Sequence, residues 1–145
     1  MTTERIAIIF GVIFLLIGIA GFSASLAPVS PSTGEAYLFG VFAVNPMHNW
    51  VHILTGVIGI LVGLAGYAGS KLYFKVFGII YALVTLVGLA VGHRAVMGMA
   101  LNVPDTILHL VAAVIALYLG FAERLPGWKR EDTDHVTTGT GRHQH

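Results

Sequence analysis

Residues 45–66 read NPMHNWVHILTGVIGILVGLAG, and where this stretch places its few polar residues decides how the chain is built. Asn45 followed by Pro46 is a helix start, because asparagine is a strong N-cap and proline is tolerated at the first helical position. From Met47 to Ala68 the run is apolar enough, and long enough, to cross a hydrocarbon core, which takes about 20 such residues. At about 100° per residue, His48, His52, Gly56, Gly59, Gly63 and Gly66 fall within a sector of roughly 80°. Small residues mark the faces on which helices approach closely in lipid. The two histidines therefore head a packing seam and are expected to point into a bundle.

The rest of the chain agrees with a membrane setting. Of 145 residues, 56% are hydrophobic and only 10% charged, and the mean hydropathy is +0.82. Soluble domains carry about 25% charged residues, so this chain could not cover a water-facing surface. A net charge of +1 offers no basic patch for nucleic acid. The absence of cysteine excludes disulfides, thiolate metal sites, iron–sulfur clusters and cysteine nucleophiles.

Four stretches qualify as spans: Ile6 to Ala27, Met47 to Ala68, Leu72 to Gly92, and Asp105 to Ala122. The expected fold is all-α, a four-transmembrane-helix bundle over residues 1–124 followed by a disordered, polar cytoplasmic tail over 125–145. Between the first two spans, YLFGVFAV is too short to cross and reads as an interfacial or re-entrant piece. The first span is expected to be retained: its apolar run exceeds the 7–15 residues of a signal peptide, and Glu4 cancels Arg5. Four spans put both termini and the middle loop on one side, with Arg5, Lys71, Lys75, Arg124, Lys129, Arg130 and Arg142. The other side holds Arg94 alone. Seven basic residues against one predict cytoplasmic termini in the inner (plasma) membrane. Tyr73, Phe74 and Phe77, near the cytoplasmic start of the third span, read as an interfacial aromatic belt.

This topology gathers the membrane's ionisable residues at one depth, in the outer half of the bundle. The fourth span repeats the logic of the second: Asp105, His109, Ala112, Ala113, Ala116 and Gly120 share a sector of roughly 100°. In the third, Gly78, Tyr81, Thr85, Gly88 and Gly92 make a similar stripe, while the first has small residues and no ionisable one. A cluster of His48, His52, Asp105 and His109 is the expectation. Asn45, Asn49 and Asn102 are near enough in sequence to support it by hydrogen bonds. His93 and Arg94 end the third span on the same side and are peripheral, because His93 lies roughly 100° round from Gly92.

Ionisable groups inside a membrane bundle read as functional by default. In one reading His48 and His52 supply an i, i+4 pair of ligands and His109 or Asp105 completes a site for Zn, Cu or Fe. In a second, a histidine from the second span and His109 ligate haem b axially; two histidines on one turn are redundant for that, so metal is preferred. The alternative from another class is a non-catalytic bundle that binds a membrane partner or a second copy of itself. There the cluster serves as interhelical hydrogen-bond glue. A proton path is weaker still, since no ionisable residue continues inward. Enzymatic signatures are absent: HNWVH has zinc-peptidase spacing but Asn49 where the glutamate should stand, and GFSAS lacks the final glycine of a nucleophile elbow.

The three stretches NPMHNWVHILTG, YFKVFGIIYALVTLVGL and NVPDTILHL resemble an uncharacterised bacterial membrane family, domain of unknown function 4383. The specific parts are Asn45, His48, Asn49, His52 and Gly56, then Asn102, Asp105, Leu108 and His109. The resemblance implies a four-helix bundle and brings no activity with it. Its signature falls on the residues selected by the helical stripes, apart from His93.

Overall fold

The Thr2 hydroxyl accepts from the Arg5 amide and opens the first helix, α1 (Thr3–Ala20), with Glu4 in a first turn whose positive dipole end favours it. The computed structural model describes residues 1–91 and 98–122. Among these, α1 is followed by strands β1 (Ala36–Leu38) and β2 (Phe42–Val44), then α2 (Pro46–Ala65), α3 (Tyr67–Val91) and α4 (Val103–Phe121). The tail over 125–145, and with it Arg124, lies outside the described residues.

All four helices are long and apolar enough to span a membrane. Their outward faces are coated with leucine, including Leu61, Leu64, Leu86 and Leu89, each at least 60% exposed. A water-soluble protein of this size could not present so continuous an apolar surface; lipid is its natural solvent.

Helix α1 packs chiefly on α2 and α3 on α4, with thinner contact between the two pairs. Close approach within the first pair centres on Gly11 and Gly56. A Cβ on either would stand 2.6 Å from the other's carbonyl oxygen. Gly63 continues the seam, where a Cβ would meet the Ile8 side chain at 2.6 Å. In the second pair, Gly78 lies against the Leu117 amide and Gly120 against that of Lys75, at 2.8 and 2.7 Å from the absent Cβ. Without a hydrophobic force between helices in lipid, such backbone proximity and the dispersion contacts it permits hold the pairs together. The expected stripes are therefore the packing faces: His48, His52, Gly56, Gly59 and Gly63 of α2 are buried, as are Asp105, His109, Ala112, Ala113, Ala116 and Gly120 of α4.

Gly66 has another role. Its φ of 123° ends α2 in a conformation that only glycine adopts cheaply, and the next residue starts α3. At the far end of α3's partner, the Lys71 ammonium donates to the carbonyls of Leu119 and Ala122, capping α4.

Three expectations are corrected. The first helix ends at Ala20 instead of Ala27: Phe22 and Ser23 donate to the carbonyls of Ile19 and Ala20, tightening the chain into turns. Its 18 residues span about 27 Å, which suffices for a core of about 30 Å. YLFGVFAV is a β-hairpin, in register Ala36↔Val44, Tyr37↔Ala43 and Leu38↔Phe42. The turn uses positive φ at Phe39 (54°) and Gly40 (73°). Buried Leu38 and Val44 pack with Ala27 and against Ile17 and Ala20, so the hairpin roofs the end of α1. Tyr73, Phe74 and Phe77 are core residues and not a belt, with Phe74 fully buried. Phe10 and Phe14 meet Phe77 edge-on, and Phe77 stacks on Tyr81 at 4.0 Å between ring centroids. These rings share the core with the small side chains of Ala7, Ala112, Ala113 and Ala116 and with Leu119.

Candidate metal centre

Two asparagines position the site. Asn45 caps α2, its Oδ1 accepting from the His48 amide at 2.9 Å, and its Nδ2 donates to the Gly98 carbonyl at 2.7 Å. Asn102 does the same for α4: Oδ1 accepts from the Asp105 amide at 3.1 Å, and Nδ2 donates to the Val41 carbonyl at 2.7 Å. Each cap thus fixes its own helix start with one atom and holds a loop with the other. The hairpin and the segment from Gly98 to Asn102 are tied down over the ends of α2 and α4.

Beneath this roof the structure brings together His48, His52 and His109, all buried. One ring nitrogen from each lies within 4.8 Å of the others. The His48 Nδ1 lies 3.0 Å from the Ala100 carbonyl oxygen. A carbonyl can only accept, so Nδ1 carries the proton and the neutral ring presents its Nε2 lone pair. That Nε2 lies 3.2 Å from the Nε2 of His52, which must then be the donor. The third imidazole, His109, is held edge-on by Tyr81 at 4.9 Å between centroids, and Phe14 packs edge-on against His52 at 5.2 Å.

Two polar atoms break the pattern of satisfied groups. The Nδ1 of His109 and the Oδ2 of Asp105 are buried without a hydrogen-bond partner among the described residues. A buried polar atom left unpaired costs about 1–3 kcal/mol, and native proteins carry few of them. Asp105 stands one turn before His109 on α4 and is buried, but the three-nitrogen group forms without it. Asn49 is buried on the α1 side of α2, where Gly21 makes room for its amide. His93 and Arg94 lie outside the described residues.

The rings open onto a cavity of about 60 Å³ lined by His48, Val51, His52, Ile80, Tyr81, Val84, Met99 and His109. Met99, which lines the cavity, and the Ala100 carbonyl, which meets His48, escaped the sequence reading. A lone methionine in a short loop carries no spacing signal, and a backbone acceptor carries no residue signal at all. The cavity is smaller than the about 300–1,000 Å³ of pockets for organic ligands, and His48 and His52 are hydrogen-bonded to each other. Three buried ring nitrogens this close could hold a single metal ion. Two ligands at about 2.0–2.1 Å in tetrahedral arrangement are separated by about 3.3 Å, close to the 3.2 Å already found between the Nε2 atoms of His48 and His52.

No curated protein and no solved structure matches the chain. Residues 4–122 match the profile of the domain of unknown function DUF4383, which takes in all four helices, both capping asparagines and the three histidines, so the chain belongs to that family.

Proposed function

We propose that this small four-span membrane protein binds a transition metal ion through His48, His52 and His109, with Asp105 supplying negative charge beside the ion. The observation that carries the reading is the convergence of three buried imidazole nitrogens within 4.8 Å of one another. The bond from His48 Nδ1 to the Ala100 carbonyl supports it, since metal-bound histidines commonly donate their second N–H to such an acceptor. So do the unpaired atoms of His109 and Asp105, which a bound cation would compensate. To hold an ion, His48 and His52 would give up their mutual hydrogen bond, and His52 would offer Nε2 with its proton on Nδ1. Nitrogen and carboxylate donors suit Zn, Cu or Fe.

The same reading puts the site in the outer half of the bundle, with both termini cytoplasmic in the plasma membrane. The distribution of basic residues, seven against one, supports this side. A second reading, interhelical glue, draws on the His48–His52 hydrogen bond; it leaves the orphaned atoms of His109 and Asp105 without a role.

The test is elemental analysis of protein purified without chelators, followed by titration with metal salts. One equivalent of a transition metal is expected in the wild type and none in His52→Ala or His109→Ala. A metal-free wild type that takes up no ion on titration leaves only the glue.

A further inference from the structure

We infer that the tip of the β1–β2 hairpin, Phe39 to Val41, inserts into the lipid interface at its end of the bundle, with phospholipid and not a partner chain as its occupant. The metal reading plays no part in this.

The fold itself gives no reason for phenylalanine at position 39. Its φ of 54° lies in the left-handed region, where a bulky residue is an outlier and glycine or asparagine is the usual choice. Nor does the ring fill the core: Phe39 is 61% exposed, and Val41 across the turn is 46% exposed. Yet the backbone beneath them is held fast. The Phe39 amide donates to the Leu26 carbonyl at 2.7 Å, and the Val41 carbonyl accepts from Asn102 at 2.7 Å. The turn is a fixed mount that presents two apolar side chains outward.

Depth sets the tip among the headgroups. The hairpin packs against Ile17 and Ala20, in the last turn of α1, and is tied to Asn102, the N-cap of α4. Strands of three residues reach about 10 Å, comparable to the interfacial layer, so the hairpin has no length with which to project into water. Phe22 and Trp50 mark the same layer. They meet edge-on at 5.7 Å, just past the end of α1 and in the opening turns of α2, and both are exposed. Tryptophan is enriched at such interfaces.

Polarity favours lipid over water. From Ile6 to Ser70 the one formally charged side chain is Glu35, and it stands at the other end of the hairpin from the tip. There Ser30 and Ser32 hydrogen-bond each other, the Glu35 amide donates to the Thr33 hydroxyl, and Tyr37 donates to the Glu35 carboxylate. The piece is polar where it opens and apolar where it turns, the sidedness of a segment that lies in an interface. Its tip adjoins helices whose outward faces already lie in lipid.

The experiment uses the full-length protein in phosphatidylcholine vesicles, with Trp50→Phe and Trp128→Phe removing the native fluorescence. Phe39→Trp then carries the single fluorophore. Its emission is expected to be blue-shifted and to fall by roughly half or more when the lipid carries bromine high on its acyl chains, and by less when the bromine lies at the chain ends. Ser32→Trp in the same background is expected to emit as in water and to stay unquenched. Val41→Trp repeats the reading from across the turn and decides it if Phe39→Trp does not fold. Red-shifted, unquenched emission places the tip in water, and blue-shifted, unquenched emission places it against a second copy or another protein; either overturns the inference. Phe39→Asn suits the turn, so its thermal transition in detergent is expected at or above that of the wild type. A lower transition gives the ring a role in the fold and overturns the inference as well.

Discussion

Gly11 of α1 and Gly56 of α2 lie back to back, each placing its carbonyl oxygen 2.6 Å from where the other's Cβ would be. The contact is backbone against backbone, so neither helix can yield by turning a side chain aside. Gly11→Leu or Gly56→Leu is expected to cost at least about 3 kcal/mol, the upper range for overpacking. Leu61→Ala, on the exposed face of α2, serves as the control and should be tolerated. Thermal unfolding in detergent measures both; equal tolerance at Gly56 and Leu61 would overturn the assignment of faces.

Asn45→Asp separates the two tasks of the capping asparagine. Aspartate keeps the acceptor for the His48 amide but has no hydrogen to give the Gly98 carbonyl. The expected loss is about 1 kcal/mol, with faster amide exchange over residues 98–102. Asn45→Ala removes the cap as well and should cost about 1 kcal/mol more.

Metal is expected to stabilise the bundle through the histidines. At a free ion concentration of 100 times Kd, a single site adds about 2.7 kcal/mol. The melting temperature should rise with added ion in the wild type and stay fixed in His109→Ala. A rise of the same size in that variant would place the ion elsewhere.

Lys71→Met tests the opposite end of the bundle. The ammonium satisfies two carbonyls at the end of α4, and methionine of similar length leaves both without a donor. Hydrogen bonds from charged groups contribute about 1.5–3 kcal/mol, so a loss of that order is expected in denaturant titration. Metal affinity should not change.

Orientation is read by labelling. A cysteine placed in the tail should resist an impermeant thiol reagent in intact cells, and one at Ser32 should react. The reverse pattern would move the centre to the cytoplasmic side.

Much of this architecture is legible in the sequence because lipid imposes such simple rules. Apolar length gives the four spans, and angular position gives the faces, so the sequence reads His48, His52, Asp105 and His109 as one cluster; the three imidazoles do converge, and Asp105 lies outside their group. The boundary of α1 was misread because Ala24, Leu26 and Ala27 prolong the apolar run past the point where the backbone turns at Gly21. The hairpin was missed because three-residue strands give no lasting alternation, although Phe39 and Gly40 lie where a turn signal belongs. Tyr73, Phe74 and Phe77 misled for a different reason. An aromatic cluster near a span's end has the same pattern whether it faces headgroups or fills a gap between glycine-lined helices.

The two asparagine ties have a consequence for biogenesis. They join residues 53 and 61 positions apart in sequence, and the imidazoles they roof come from both helix pairs. Neither the α1–α2 hairpin nor the α3–α4 hairpin contains the centre by itself. As the chain enters the membrane, the first pair can close as soon as it is inserted, but the third imidazole arrives only with α4. On the proposed metal reading, ion capture would mark the moment at which the last span has docked, because a chain stalled before α4 carries only two of the three imidazoles.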